Sequence, residues 1–204
     1  MDEKKEIEEI ELIKISKIEL NKLPLINFDG VIHCVRSDKD VANAIKILKK
    51  SKLIGFDTET RPNFKKGVSN SNKVALLQLA TLNDAFLFRL HDVKLIEDIY
   101  SILSDKKIIK VGAAVHDDIK ALNKLKPFTP NSFVDLQKIV EEYGIGDKSL
   151  RKITGIILKQ RLSKTQQLSN WEKEELDIGQ QNYAATDAWV CVRIYKEIKK
   201  LNKK

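Results

Sequence analysis

The chain has 204 residues, 42% of them hydrophobic, and a formal net charge of +8. That length suits one generous domain or two small ones with a real core, and no stretch approaches the ~18 apolar residues of a membrane span. The two cysteines, Cys34 and Cys191, stand alone in apolar surroundings with no C-x-x-C spacing, which argues against a structural zinc site and for buried free thiols.

Residues 1–30 form a charged lead-in, helical or partly ordered over 2–22, with the Pro and Gly of a connection in "LPLINFDG" (23–30). Its opening, "MDEKKEIEEIELIKISK", mixes both signs of charge and has no apolar signal-peptide core, so a soluble, cytoplasmic protein is expected. "VIHCV" (31–35) predicts a short strand. "SDKDVANAIKILKKS" opens on a Ser or Asp cap and repeats Val41, Ala44, Ile45 and Leu48 at helical spacing. "KLIGFDTE" predicts a strand buried on both faces, as at the centre of an α/β sheet. The Pro, Gly, Ser and Asn of 61–72 predict an exposed loop. "KVALLQLAT" and "AFLFRL", joined by "LND", predict a hairpin. Then come a helix in "VKLIEDIYSILSD", a buried strand in "KKIIKVGAA", a helix in "HDDIKALNKL" and a short strand in "FVDLQ". Helices in "LQKIVEEYG" and "KSLRKITGIIL", a polar linker and a closing helix from "IGQQNYAATDAW" onward complete the chain. With no internal repeat, the pattern predicts a single α/β domain over 31–200 with a mixed sheet, followed by a basic tail at 201–204.

Acids are poor strand residues, yet "LIGFDTETRP" carries Asp57 and Glu59 out of an apolar run. Two residues apart on a strand, they share a face. Asp117 and Asp118 follow a later strand and open a helix; Tyr183 and Asp187 are four apart and share one helix face. Each site alone has an ordinary explanation: a solvated turn, an N-cap, a core tyrosine beside a surface acid. Together they suit hard cations such as Mg²⁺ or Mn²⁺, which take oxygen ligands, and a pair of ions about 3.5–4 Å apart can activate water and stabilise a leaving oxygen.

The three sites in this order resemble the motifs of the DnaQ-like, ribonuclease H-related 3′–5′ exonucleases. "FDTET" resembles the Asp-x-Glu motif, "VGAAVHDDIKAL" the second motif with Asp118 at the matching place, and "YAATD" the third. Tyr183 resembles the tyrosine-containing branch, and the blocks "KVALLQLAT", "AFLF" and "LSNWEKEELDIGQQNYAATDAW" resemble the Werner exonuclease and ribonuclease D group over about 31–200. The resemblance implies a ribonuclease H-like fold and two divalent cations held by Asp57, Glu59, Asp118 and Asp187. It implies that Asp57 bridges both ions, that Glu59 binds the ion nearer the attacking water, and that Tyr183 orients that water. Nothing in the chain resembles a helicase part or the C-terminal helical domains of ribonuclease D, and Glu174 and Glu175 stand where ribonuclease D commonly has a more basic or Pro-containing stretch, which leaves DNA against RNA open; Asp117 beside Asp118 leaves the second ligand open by one position.

Around these motifs, Thr58 and Thr60 flank the acids where the resemblance implies contact with the terminal nucleotide, or a turn; Gln78 interrupts an apolar strand as a substrate-binding or site-supporting candidate, and Trp171 could anchor the linker or stack on a base. Arg151 and Lys152 belong to a basic cluster (Lys148, Arg151, Lys152, Lys159, Arg161, Lys164) that could follow a phosphate backbone or be a solvated face; Lys65 and Lys66 are rival phosphate contacts. The positive charge favours nucleic acid as partner, and is equally the outcome of a lysine-rich composition. The leading expectation is a metal-dependent exonuclease acting at 3′ ends. A catalytically silent nucleic-acid-binding domain on the same fold is the alternative, and an Asp-x-Asp phosphohydrolase ranks last because Glu59 stands at the third position.

Overall fold

The computed structural model describes residues 12–60, 74–94 and 96–201. Six strands form one mixed sheet: β1 (Val31–Val35), β2 (Leu53–Thr60), β3 (Val74–Ala80), β4 (Asp84–Arg89), β5 (Ile109–Gly112) and β6 (Phe133–Asp135), in spatial order β1-β4-β3-β2-β5-β6. The β3–β4 hairpin expected around "LND" is present, and it makes β3 antiparallel to both neighbours. β2 runs parallel to β5, β5 to β6 and β1 to β4, so the sheet is mixed as the pattern predicts.

Helices α2 (Asp38–Leu48), α3 (Ile96–Ser104) and α4 (Val115–Leu125) enclose one core with one face of the sheet. Ser37 starts α2 through a reciprocal capping box with Asp40. On the other face lie α5 (Leu136–Glu142), α6 (Leu150–Leu158) and the long α7 (Ile178–Leu201), with Ile26 and Phe28 of the lead-in filling the same core. Asp177 holds the start of α7 by accepting a hydrogen bond from the Gln180 amide at 2.9 Å.

Residues 12–30 pack onto this body. Ile13 bridges to Ile145, α1 (Lys17–Lys22) lies against α6, and Leu25 bridges to Arg161. Leu20 of α1 is buried beside Gly155 of α6, where an added Cβ would stand 2.5 Å from the leucine Cδ1, so the close approach of the two helices depends on glycine.

Cys191 is buried as expected, but Cys34 is exposed. The apolar run "VIHCV" misled because β1 is an edge strand among the described residues, with a sheet neighbour on one side only. Among the described residues no helix is long and apolar enough to cross a membrane. The expected loop at 61–72, with Lys65 and Lys66, lies outside the described residues.

Candidate active site

Alternation along β2 decides the site. Ile54 and Phe56 enter the core under α2, α3 and α4, so Gly55, Asp57 and Glu59 face α7. A Cβ at Gly55 would stand 1.8 Å from the carbonyl oxygen of Ala188. Only glycine lets α7 come this near, and the residue before Ala188 is Asp187. One carboxylate oxygen from each of Asp57, Glu59 and Asp187 lies within 4.8 Å of the others.

Asp118 arrives from the opposite layer. Thr58 alternates to the α4 side of the strand, and its hydroxyl donates to Asp118 Oδ1 at 2.5 Å. Asp118 is half-buried whereas Asp117 and His116 point to solvent, so of the adjacent aspartates it is Asp118 that turns toward the strand. The backbone at this junction is unusual. Ala114, which precedes α4, is left-handed at φ 57, and its amide donates to Asp135 Oδ1 at 3.0 Å. The β2 segment is thus gripped by acids from both layers.

The electrostatics follow from crowding. Burial, then Asp187, Glu59 and Asp118, push the Asp57 carboxyl well above its ordinary range. Burial and the neighbouring carboxylates raise Glu59 to about 8. Burial raises Asp187 to about 7 against the opposing hydrogen bond from Tyr183. Burial raises Asp118 to about 6, again opposed by a hydrogen bond, from Thr58. No lysine or arginine among the described residues offsets Asp57, Glu59 or Asp187. An oxygen-only donor set without an internal counter-charge fits a hard divalent cation.

The flanking residues divide. Tyr183, one helical turn before Asp187, hydrogen-bonds to it, and burial followed by the nearby carboxylates raises its phenol further above the usual range. Trp171 is fully buried and packs on Tyr183 with ring centroids 6.0 Å apart, so it supports the tyrosine and leaves no face open to a base. Gln78 is also fully buried, with neither amide atom hydrogen-bonded among the described residues. Thr60 ends β2 next to a register shift. Arg151 donates to Leu162 O and Asn21 Oδ1, and Lys152 pairs with Asp147 at 2.6 Å. Both still line a cavity that reaches Asp187.

Two supports escape sequence reasoning. Arg89, buried at the end of β4, donates to the carbonyls of Lys173 and Glu174 and so fastens the segment that carries Trp171. Its signal is an arginine ending the apolar run "AFLFR". Lys17 of α1 lines the same cavity as Arg151 and Lys152 and carries no signal beyond a charged lead-in.

Residues 32–203 match the sequence profile of the 3′–5′ exonucleases. The chain belongs to this family. Among its relatives, the 3′–5′ exonuclease of Arabidopsis thaliana is 27% identical over 202 residues, covering 92% of this chain and 70% of that protein. The bifunctional 3′–5′ exonuclease/ATP-dependent helicase WRN of Mus musculus is 28% identical over 94% of this chain but only 14% of its own length. The EXO domain of Aedes aegypti Nibbler shares the fold with a TM-score of 0.75 at 21% identity, covering 94% of this chain and 92% of that domain. This family membership accords with the three motifs and with the ribonuclease H-like sheet.

Proposed function

We propose that the chain hydrolyses phosphodiester bonds from the 3′ end of nucleic acid with two divalent cations, Mg²⁺ or Mn²⁺, releasing nucleoside 5′-monophosphates. The observation that carries this reading is the convergence of Asp57, Glu59 and Asp187 within 4.8 Å, with Asp118 tied to the same strand by Thr58. These four carboxylates would hold the cations. When bound, such ions lower the pKa of a water and neutralise charge at the scissile phosphate.

The chain's own residues contribute position. Asp57 and Glu59 lie on β2 where it pairs with Gln78 and Leu76 of β3, just past the stretch Leu53–Gly55 that pairs with β5, so the sheet pre-aligns their carboxylates. Tyr183 keeps its proton, because its phenol is shifted upward, away from neutrality. It therefore orients water through its hydroxyl and does not abstract a proton. Trp171 and, through the 173–174 carbonyls, Arg89 hold that phenol in place.

Nucleic acid as the ligand is supported by the chain's net charge of +8, and two fold neighbours are solved with such ligands: Trypanosoma brucei RNase D in complex with RNA U12 and Brucella melitensis NrnC bound to pGG. A silent binding domain is disfavoured because uncompensated acids repel phosphate, and a binder gains by losing them.

The test uses matched DNA and RNA strands labelled at the 5′ or the 3′ end, with Mg²⁺, Mn²⁺ or EDTA. A ladder shortening from the 3′ end that EDTA and Asp57→Asn both abolish is expected. Binding without hydrolysis would select the silent alternative.

A further inference from the structure

We infer that the segment preceding the family domain forms one wall of the nucleic-acid track, with Lys17 of α1 and Lys164 of the 159–177 linker as its phosphate contacts. The inference rests on the exonuclease reading for which end of the strand lies at the acids.

The matched family region begins at residue 32, and α1 lies before it. Nevertheless a cavity of about 380 Å³ has walls from both regions: Lys17 and Leu20 from α1, Lys152 and Lys164 from the domain, and Tyr183 and Asp187 from the candidate active site. That volume falls in the roughly 300–1,000 Å³ range of small-ligand sites, room for a single-strand nucleotide unit and too little for a duplex. Its half-buried Leu150 offers apolar surface to a sugar or base, and its cations suit phosphates.

The lead-in is held here along its whole described length. The Ile13 amide donates to Gly144 O at 2.7 Å, and the Ile15 amide to Asp147 Oδ2 at 3.0 Å. Arg151 reaches Asn21 Oδ1 at 2.8 Å. The Ile26 amide donates to Arg161 O at 3.0 Å, and the Phe28 amide to Thr186 Oγ1, one residue before Asp187, at 3.0 Å. A segment tied at both ends of α1, and again beside the acids, presents Lys17 as a built wall.

The basic residues of this cavity also differ in availability. Arg151 is used on Asn21 and Leu162, and Lys152 on Asp147. Lys17 and Lys164 are exposed and pair with no carboxylate among the described residues. They are the lysines of this cavity with charge left to give a phosphodiester, beside Arg151, which is held in place by neutral oxygens.

The experiment measures binding of a short 5′-fluorescein single strand by anisotropy, as DNA and as RNA, in EDTA across a salt series. The proteins are the parent, Lys17→Ala, Lys164→Ala and, as a charge-matched control on the far side of the sheet, Lys46→Ala of α2. Both groove variants are expected to bind several-fold more weakly at low salt, each lowering the log–log salt slope by about 0.7, with the control close to the parent. Equal losses in the control, unchanged slopes, or no binding by the parent would overturn the inference. Because binding is read without metal, a parent that binds through these lysines yet hydrolyses nothing sinks the exonuclease reading alone.

Discussion

Gln78 lies directly across the β2–β3 ladder from Asp57, so the two side chains leave the sheet on the same face, beneath α7. The amide is fully buried and both of its polar atoms lack partners among the described residues. An unpaired buried polar group costs about 1–3 kcal/mol. Gln78→Met, nearly isosteric, should therefore stabilise the metal-free fold by about 1 kcal/mol or more in urea unfolding. Its turnover should fall, because the group beside Asp57 is gone. A destabilised Met variant would show that the amide has a partner, such as a buried water.

Thr58 gives Asp118 its orientation. Thr58→Val keeps the shape of a β-branched strand residue and removes the hydroxyl that donates to Asp118. It should weaken Mn²⁺ affinity in calorimetry and reduce turnover, and Asp118→Asn should do so more strongly. Asp117→Asn, at an exposed position, should stay near the parent. If Asp117→Asn proved the more damaging variant, the assignment would move by one residue.

The raised carboxyl groups set a pH dependence for the metal-free protein. A carboxyl whose folded pKa lies above its unfolded value, near ~4, binds its proton more tightly when folded. Its contribution is fully present below pH ~4 and is lost as pH rises through the folded values, about 6 for Asp118, about 7 for Asp187 and about 8 for Glu59. In EDTA the melting temperature should accordingly fall between pH 5 and pH 9. Asp57→Asn should flatten that fall by removing one repelling charge, and Mn²⁺ should raise stability most at the alkaline end. A parent and a variant with identical pH profiles would contradict the crowding of these acids.

Tyr183→Phe preserves the ring that packs on Trp171 and removes only the hydroxyl. The loss of one positioned hydrogen bond should slow single-turnover hydrolysis by on the order of 10²-fold, with substrate affinity nearly unchanged. A parental rate at saturating Mn²⁺ would reduce Tyr183 to a packing role.

The order of strands and helices and the hairpin were legible in the sequence, because they rest on local rules: alternation, helical spacing, capping and turn residues; the choice of the four acids came instead from the resemblance of the three motifs to a family. Periodicity and spacing alone did not bring Asp57, Glu59, Asp118, Tyr183 and Asp187 together; the resemblance implied one shared site without its geometry. Their convergence is a tertiary matter: Gly55 admits α7 against β2, and Thr58 reaches across to α4, contacts between residues 133 and 60 positions apart (Gly55 to Ala188 is 188 − 55). Which aspartate of the pair turns inward was open, since adjacent residues at a helix start differ only in the face that packing assigns them. Cys34 read as buried because an apolar run does not disclose whether its strand will have one neighbour or two. The lead-in read as a charged, helical or partly ordered segment with no assigned place against the domain, for a related reason. Its place beside the acids depends on backbone hydrogen bonds to Gly144, Arg161 and Thr186, and a backbone partner leaves no trace in side-chain chemistry.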